Sequence, residues 1–147
     1  MKTSNLFKTT VLGVFLMTAI ACSKDDDPTA SVRVNGTVLV GDVSDFNGDI
    51  DASFTGNGGS LTRSFVWNNN LSTADYNADI TATAEGTFRM VVEDSAGEVV
   101  LDRGLNGAVE PDSFSGVTSA GASGIWTVTI TVTDFNGDGS FSLSEGN

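Results

Sequence analysis

Trp126-Thr127-Val128-Thr129-Ile130-Thr131-Val132-Thr133 alternates an apolar with a hydroxyl side chain through four repeats. Only an extended backbone sends successive side chains to opposite faces, so this run is a strand with one face buried and one wet. Its β-branched residues fit a pleated surface and would lose rotamer freedom in a helix. The same period recurs where Tyr76, Ala78, Ile80, Ala82 and Ala84 alternate with Asn77, Asp79, Thr81 and Thr83. It recurs again where Phe88, Met90 and Val92 alternate with Arg89 and Glu93, although Val91 breaks the polar side. No segment carries a helical period over two turns, and residues 71–79 are the one place where a short helical turn is expected.

Further strands are expected at Val32–Val40, Ile50–Thr55, Leu61–Trp67, Glu98–Asp102, Ser113–Val117 and Phe141–Ser144. Between them stand Asn47-Gly48, Asn57-Gly58-Gly59, Asn106-Gly107 and Asn136-Gly137. Asn-Gly accepts the positive φ that both central residues of a two-residue hairpin need. Asp94-Ser95-Ala96-Gly97 reads as the turn joining two further strands. About eight or nine short strands at this spacing predict an all-β fold, an antiparallel two-sheet sandwich of Ig-like or jelly-roll type, over residues 31–147. The expected core is Val38, Val40, Phe54, Phe65, Trp67, Ile80, Phe88, Met90, Leu101, Trp126, Val128, Ile130, Phe141 and Leu143. The closing run from Gly124 to Phe141, read as a hairpin about Asn136-Gly137, resembles the last strands of P-domain jelly rolls, which implies a fold class and no activity.

Composition removes most chemistry. With no histidine and a single cysteine among 147 residues, there is no Ser-His-Asp or Cys-His pair, no imidazole ligand, no intrachain disulfide and no multi-thiolate zinc site. Acids number 19 against 7 Lys+Arg, a net charge of −12. Such a chain does not neutralise phosphates, so nucleic acid is excluded as a partner, and an anionic lipid surface is disfavoured for its folded faces. Acid pairs suited to glycosidic chemistry, Glu93-Asp94 and Glu110/Asp112, lack an aromatic-rich cleft signal beside them. The expectation is a protein that is not an enzyme.

Residues 1–21 read as a signal peptide. Lys2 and Lys8 precede the apolar run of residues 11–20, which is too short for the about 20 residues that cross a bilayer, and small Ala21 follows. Ala19-Ile20-Ala21-Cys22 resembles the lipobox of bacterial lipoproteins. The resemblance implies that Cys22 is lipidated, becomes the new N-terminus and anchors the chain in a membrane through several acyl chains. Ser23-Lys24-Asp25-Asp26-Asp27-Pro28 resembles the acidic run that follows the lipidated cysteine in surface-exposed lipoproteins of the Bacteroidota. That implies the outer membrane and its outer face; a plain solvated spacer, with the domain facing the periplasm, is the alternative. Residues 22–30 then form the lipidated tether, and loss of Lys2 and Lys8 takes the mature charge to −14 from −12.

One five-residue word occurs twice. Asp45-Phe46-Asn47-Gly48-Asp49 returns as Asp134-Phe135-Asn136-Gly137-Asp138. Read as a twelve-residue loop, the second copy places Asp134, Asn136 and Asp138 at positions 1, 3 and 5, Gly139 at 6 and Glu145 at 12, the oxygen set of an EF-hand Ca²⁺ loop. Strand patterning upstream argues instead for a hairpin turn, in which Ser140, Ser142 and Ser144 carry Glu145 away. In the first copy Asp45, Asn47 and Asp49 lack the glycine and the glutamate. No other cofactor is indicated. Trp67, Tyr76 and Trp126 form a candidate sugar-stacking platform, although all three are in phase with apolar neighbours. The functional expectation is a lipid-anchored envelope module that binds or supports an envelope protein or a glycan, with a calcium-dependent module as the alternative.

Overall fold

The computed structural model describes residues 27–42 and 45–146. Residues 1–21, Cys22 and the tether up to Asp26 lie outside them. Every regular element among the described residues is a strand: β1 (Thr29–Val34), β2 (Thr37–Val38), β3 (Asp45–Phe46), β4 (Ile50–Asn69), β5 (Ala74–Ile80), β6 (Glu85–Glu93), β7 (Val99–Asn106), β8 (Ser113–Val117) and β9 (Gly124–Glu145). The all-β class stands. Residues 71–79 hold a bend and then β5 rather than a helical turn.

Two strands are exceptionally long, β4 with 20 residues and β9 with 22, and they pair antiparallel along their whole length. Each serves two branches of the ladder. Residues 50–57 of β4 and 136–145 of β9 belong to the order β2-β1-β4-β9-β5-β8. Residues 61–69 of β4 and 124–133 of β9 carry β3 on one side and β6 then β7 on the other. Among the described residues only the short β3–β4 pair is parallel. Register shifts at Asn57/Gly59 and Gly59/Leu61 separate the halves, and there the sheet folds onto itself. Phe54 of the first half stacks on Phe88 of β6 at 4.4 Å, and Phe65 of the second half faces Phe141 at 6.4 Å. The sandwich therefore has a six-stranded and a five-stranded layer that share β4 and β9 as continuous spines.

The fold-over is built from words that read as turns. Asn57 pairs with Asn136 and Gly56 with Gly137, so the two Asn-Gly signals face each other across neighbouring strands and neither closes a hairpin. Glycine is required here for close approach. A Cβ on Gly56 would lie 2.2 Å from the Phe135 carbonyl oxygen, and one on Gly59 would lie 2.2 Å from the Thr29 backbone. Bulges sharpen twist and bend a strand, which lets one ladder serve two layers.

The two-residue hairpin occurs at Asn35-Gly36, with φ of 46° and 82°, inside the stretch expected as one strand Val32–Val40. Val34 pairs with Thr37 across it, so the inward positions change from even to odd. Val38 and Val40, expected in the core, are therefore 41% and 89% exposed, whereas Leu39 between them is 4% exposed. The other twelve expected core residues are buried, joined by Phe114 and Phe135 among others. Each large apolar side chain removed from water contributes about 1.5–3 kcal/mol.

Candidate functional site

The outer face of the six-stranded layer is made of small polar side chains. Strand register sets them in rows: Arg33, Ser53, Ser140, Asp79 and Ser113 in one, and Asp51, Ser142, Asn77 and Ser115 in the next. Neighbouring positions in a row are about 4.8 Å apart and successive rows about 6.7 Å. Alternation explains the composition, because Phe54, Phe141, Leu143, Tyr76, Ala78 and Phe114 occupy the intervening inward positions. Grooves of about 540, 420, 380 and 160 Å³ are lined by side chains of this face. Arg103 of β7 borders the largest: its guanidinium lies 5.1 Å from the centre of the Phe114 ring and donates to the Tyr76 hydroxyl at 3.4 Å.

The five-stranded layer treats its polar face differently. Thr62 and Thr131 share a hydroxyl hydrogen bond at 3.2 Å, Ser64 and Thr129 one at 2.9 Å, and Arg89 grips Asp102 through two bonds of 2.8 and 2.6 Å. The guanidinium holds the Asp102 carboxyl below its ordinary pKa. On the six-stranded layer, no hydrogen bond among the described residues ends on the side chains of Ser53, Asn77, Asp79, Ser140 or Ser142. Ser53, Asn77, Asp79 and Ser140 are exposed and Ser142 is half-buried.

At the end of the sandwich opposite the fold-over, Asp94 laces the loops together. One carboxylate oxygen accepts the N–H groups of Ala96 and Glu98 at 2.9 Å, and the other accepts that of Ala122 at 2.7 Å. The backbone donors, Ala122 foremost, lower its pKa. A carboxylate so engaged is a structural clamp rather than a proton donor, and its neighbour Glu93 pairs with Thr127 along the ladder. The turn at Asp94–Gly97 joins β6 to β7 as its residues predict.

The other sequence-derived sites are dispersed. Residues 134–145 form an extended strand and not a loop, so Asp138 and Glu145 lie about 23 Å apart along it. Asp134 is tied to Ser60, whose hydroxyl donates to its carboxylate at 3.3 Å, and Asn136 faces Asn57. Glu145 accepts both the backbone N–H and the side-chain amide of Asn70 at 2.7 Å. The twelve-residue calcium loop is thus corrected to a strand, and among the described residues no three acids gather as a metal site. Asp45 pairs with Val66 in β3, and the Asp49 carbonyl accepts from Asn35.

Trp67 and Trp126 are buried edge to face at 6.0 Å, their indole N–H groups donating to the Gly48 and Ala122 carbonyls at 2.7 and 2.8 Å. Tyr76 packs edge-on to Phe114. The three rings form core, and the stacking platform is not presented to solvent. In sequence the six-stranded face is signalled only by Ser140, Ser142 and Ser144 alternating with Phe141 and Leu143. No family model matches this chain, and no curated protein or solved structure matches it either.

Proposed function

We propose that this chain is a lipid-anchored lipoprotein of the bacterial outer membrane, held through Cys22 and displayed on the cell surface, whose β domain is a non-catalytic binding module. The observation that carries the binding reading is the inequality of the two outer faces. The five-stranded layer bonds Thr62 to Thr131, Ser64 to Thr129 and Arg89 to Asp102 across its strands, while Thr87, Glu93, Thr127 and Thr133 stay unpartnered among the described residues. The six-stranded layer has no such cross-strand pair on Ser53, Asn77, Asp79, Ser140 or Ser142. A hydroxyl-rich, uncharged glycan strand suits the free face best. Carboxylates accept from sugar hydroxyls and the amide both accepts and donates, while Asp51, Asp75, Asp79 and Asp138 outnumber Arg33 and Arg103 and disfavour a polyanion. With its aromatic rings buried, such a face recognises sugar by hydrogen bonds alone and binds weakly per site.

Titrating the isotope-labelled mature chain with neutral polysaccharides tests this. Amide shifts concentrated at residues 53, 77, 79, 140 and 142 are expected. Shifts confined to the Thr129–Thr131 face, or none with any glycan, would sink the glycan reading. Mass spectrometry of the native N-terminal peptide tests the anchor separately, since a bare Cys22 thiol removes it. Proteolysis of intact cells separates surface display from a periplasm-facing domain.

A further inference from the structure

We infer that Asn47 is a site of spontaneous deamidation and isoaspartate formation, and that Asn136, inside the identical five-residue word, is protected by the fold. In the reaction the backbone nitrogen of the following glycine attacks the asparagine side-chain carbonyl carbon. A new C–N bond closes a five-membered imide, the side-chain amide C–N bond breaks, and nitrogen leaves as ammonia with the glycine's amide proton. Water then opens the imide at either carbonyl, giving aspartate or isoaspartate and one added negative charge. No oxidant or cofactor is needed. Two conditions must hold: the glycine N–H is not tied in a hydrogen bond, and the local backbone is able to swing the nitrogen onto the carbonyl.

Five Asn-Gly pairs occur in the chain, and the structure separates them. Asn136-Gly137 sits within the paired spine β9, opposite Asn57 and Gly56, and Asn57-Gly58 lies at the bulge of β4, where both residues pair with Thr29 of β1. Gly107 donates its N–H to the Gly86 carbonyl at 2.8 Å. Asn35 has its side chain held at both ends, donating to the Asp49 carbonyl at 3.1 Å and accepting from the Asp51 N–H at 2.7 Å. Asn47-Gly48 lies in the connection between β3 and β4, with Asn47 exposed. Among the described residues, neither the Asn47 side chain nor the Gly48 N–H takes part in a hydrogen bond. The bland reading, that every Asn-Gly is equally labile, is tested by the repeat itself. Both copies read Asp-Phe-Asn-Gly-Asp, so local sequence contributes equally and any difference in rate belongs to the fold. A paired spine must open before it reacts, whereas the exposed Asn47-Gly48 connection, tied only through the Gly48 carbonyl to the Trp67 indole and the Asp49 carbonyl to Asn35, reacts through a smaller local opening.

The purified mature chain is incubated at neutral pH, sampled over time and cleaved after arginine. Asn47 falls in the peptide Val34–Arg63 and Asn136 in Gly104–Asn147, and fragment spectra assign the conversion within each. Conversion at Asn47 is expected to exceed that at Asn136 by at least about tenfold in the folded chain, and the ratio to collapse towards one in denaturant. Asn47→Gln should remove the fast phase. Equal native rates at Asn47 and Asn136 would overturn the inference. So would an Asn47 that stays intact while the denatured control reacts.

Discussion

The two copies of Asp-Phe-Asn-Gly-Asp show how little five residues decide alone. In the first, Asp45-Phe46 is a two-residue parallel strand at an edge, and Asn47-Gly48-Asp49 crosses from one layer to the other. In the second, the same letters lie inside a 22-residue spine where the sheet turns over. Phe46 is half-buried and packs edge-on to Phe65 at 5.4 Å; Phe135 is fully buried and tilts against Phe54 at 5.2 Å. Gly48 has an open surrounding at φ +77°, and Gly137 is hemmed in at φ +142°. The word specifies a bend with one inward aromatic, and the partners that arrive from elsewhere decide whether the bend is a loop or a fold-over.

The phenylalanines give the widest separation between the copies. Phe135→Ala should cost about 3–5 kcal/mol, because a rigid aromatic shell cannot collapse into the space. Phe46→Ala should cost about 1–2 kcal/mol, since its ring is partly wet already. Urea midpoints at unchanged m-value measure both, and equal losses would dissolve the distinction. The glycines come next. A Cβ at Gly137 meets the Ala84 Cβ at 2.9 Å, so strain and crowding together make Gly137→Ala cost about 2–4 kcal/mol. At Gly48 nothing lies within 4 Å, and only the left-handed backbone resists, for about 1 kcal/mol in Gly48→Ala.

The smallest effect uses a third turn as a reference. Asp94 accepts three backbone N–H groups, whereas no aspartate of either copy accepts one among the described residues. Its folded pKa is lowered, so the folded state binds fewer protons than the unfolded one near pH 4. Its contribution is complete above the unfolded carboxyl value of about 3.9 and is lost as pH falls through the folded value. Asp94→Asn should lower the melting temperature at pH 7 and converge with the parent in acid. A gap that stays constant down to pH 2 would show that the clamp does not depend on charge.

Much of the fold was legible because periodicity is a local property. Trp126 to Val132, Tyr76 to Ile80 and Phe88 to Val92 are buried in the phase their alternation predicts. What failed was non-local. Asn57-Gly58 and Asn136-Gly137 look like independent turns, and only their pairing with each other shows that they make one bend. Asn35-Gly36, lying between Val32/Val34 and Val38/Val40, hid a hairpin whose parity change moved Val38 and Val40 outwards. The candidate face was nearly invisible. Its residues lie on five strands, and no short motif contains them; only strand order brings Ser53 of β4, Ser140 of β9 and Asp79 of β5 into one row.

The chain enters its domain at Thr29, beside Asn57 and Gly58 at the fold-over, and β1 runs from there antiparallel to β4. Tension applied through the N-terminal segment consequently acts along the length of that ladder. Its hydrogen bonds are loaded in shear, all together, instead of being unzipped one by one. Under the proposed N-terminal anchorage, a load on the domain would be resisted by the six residues of β1 before any layer opened.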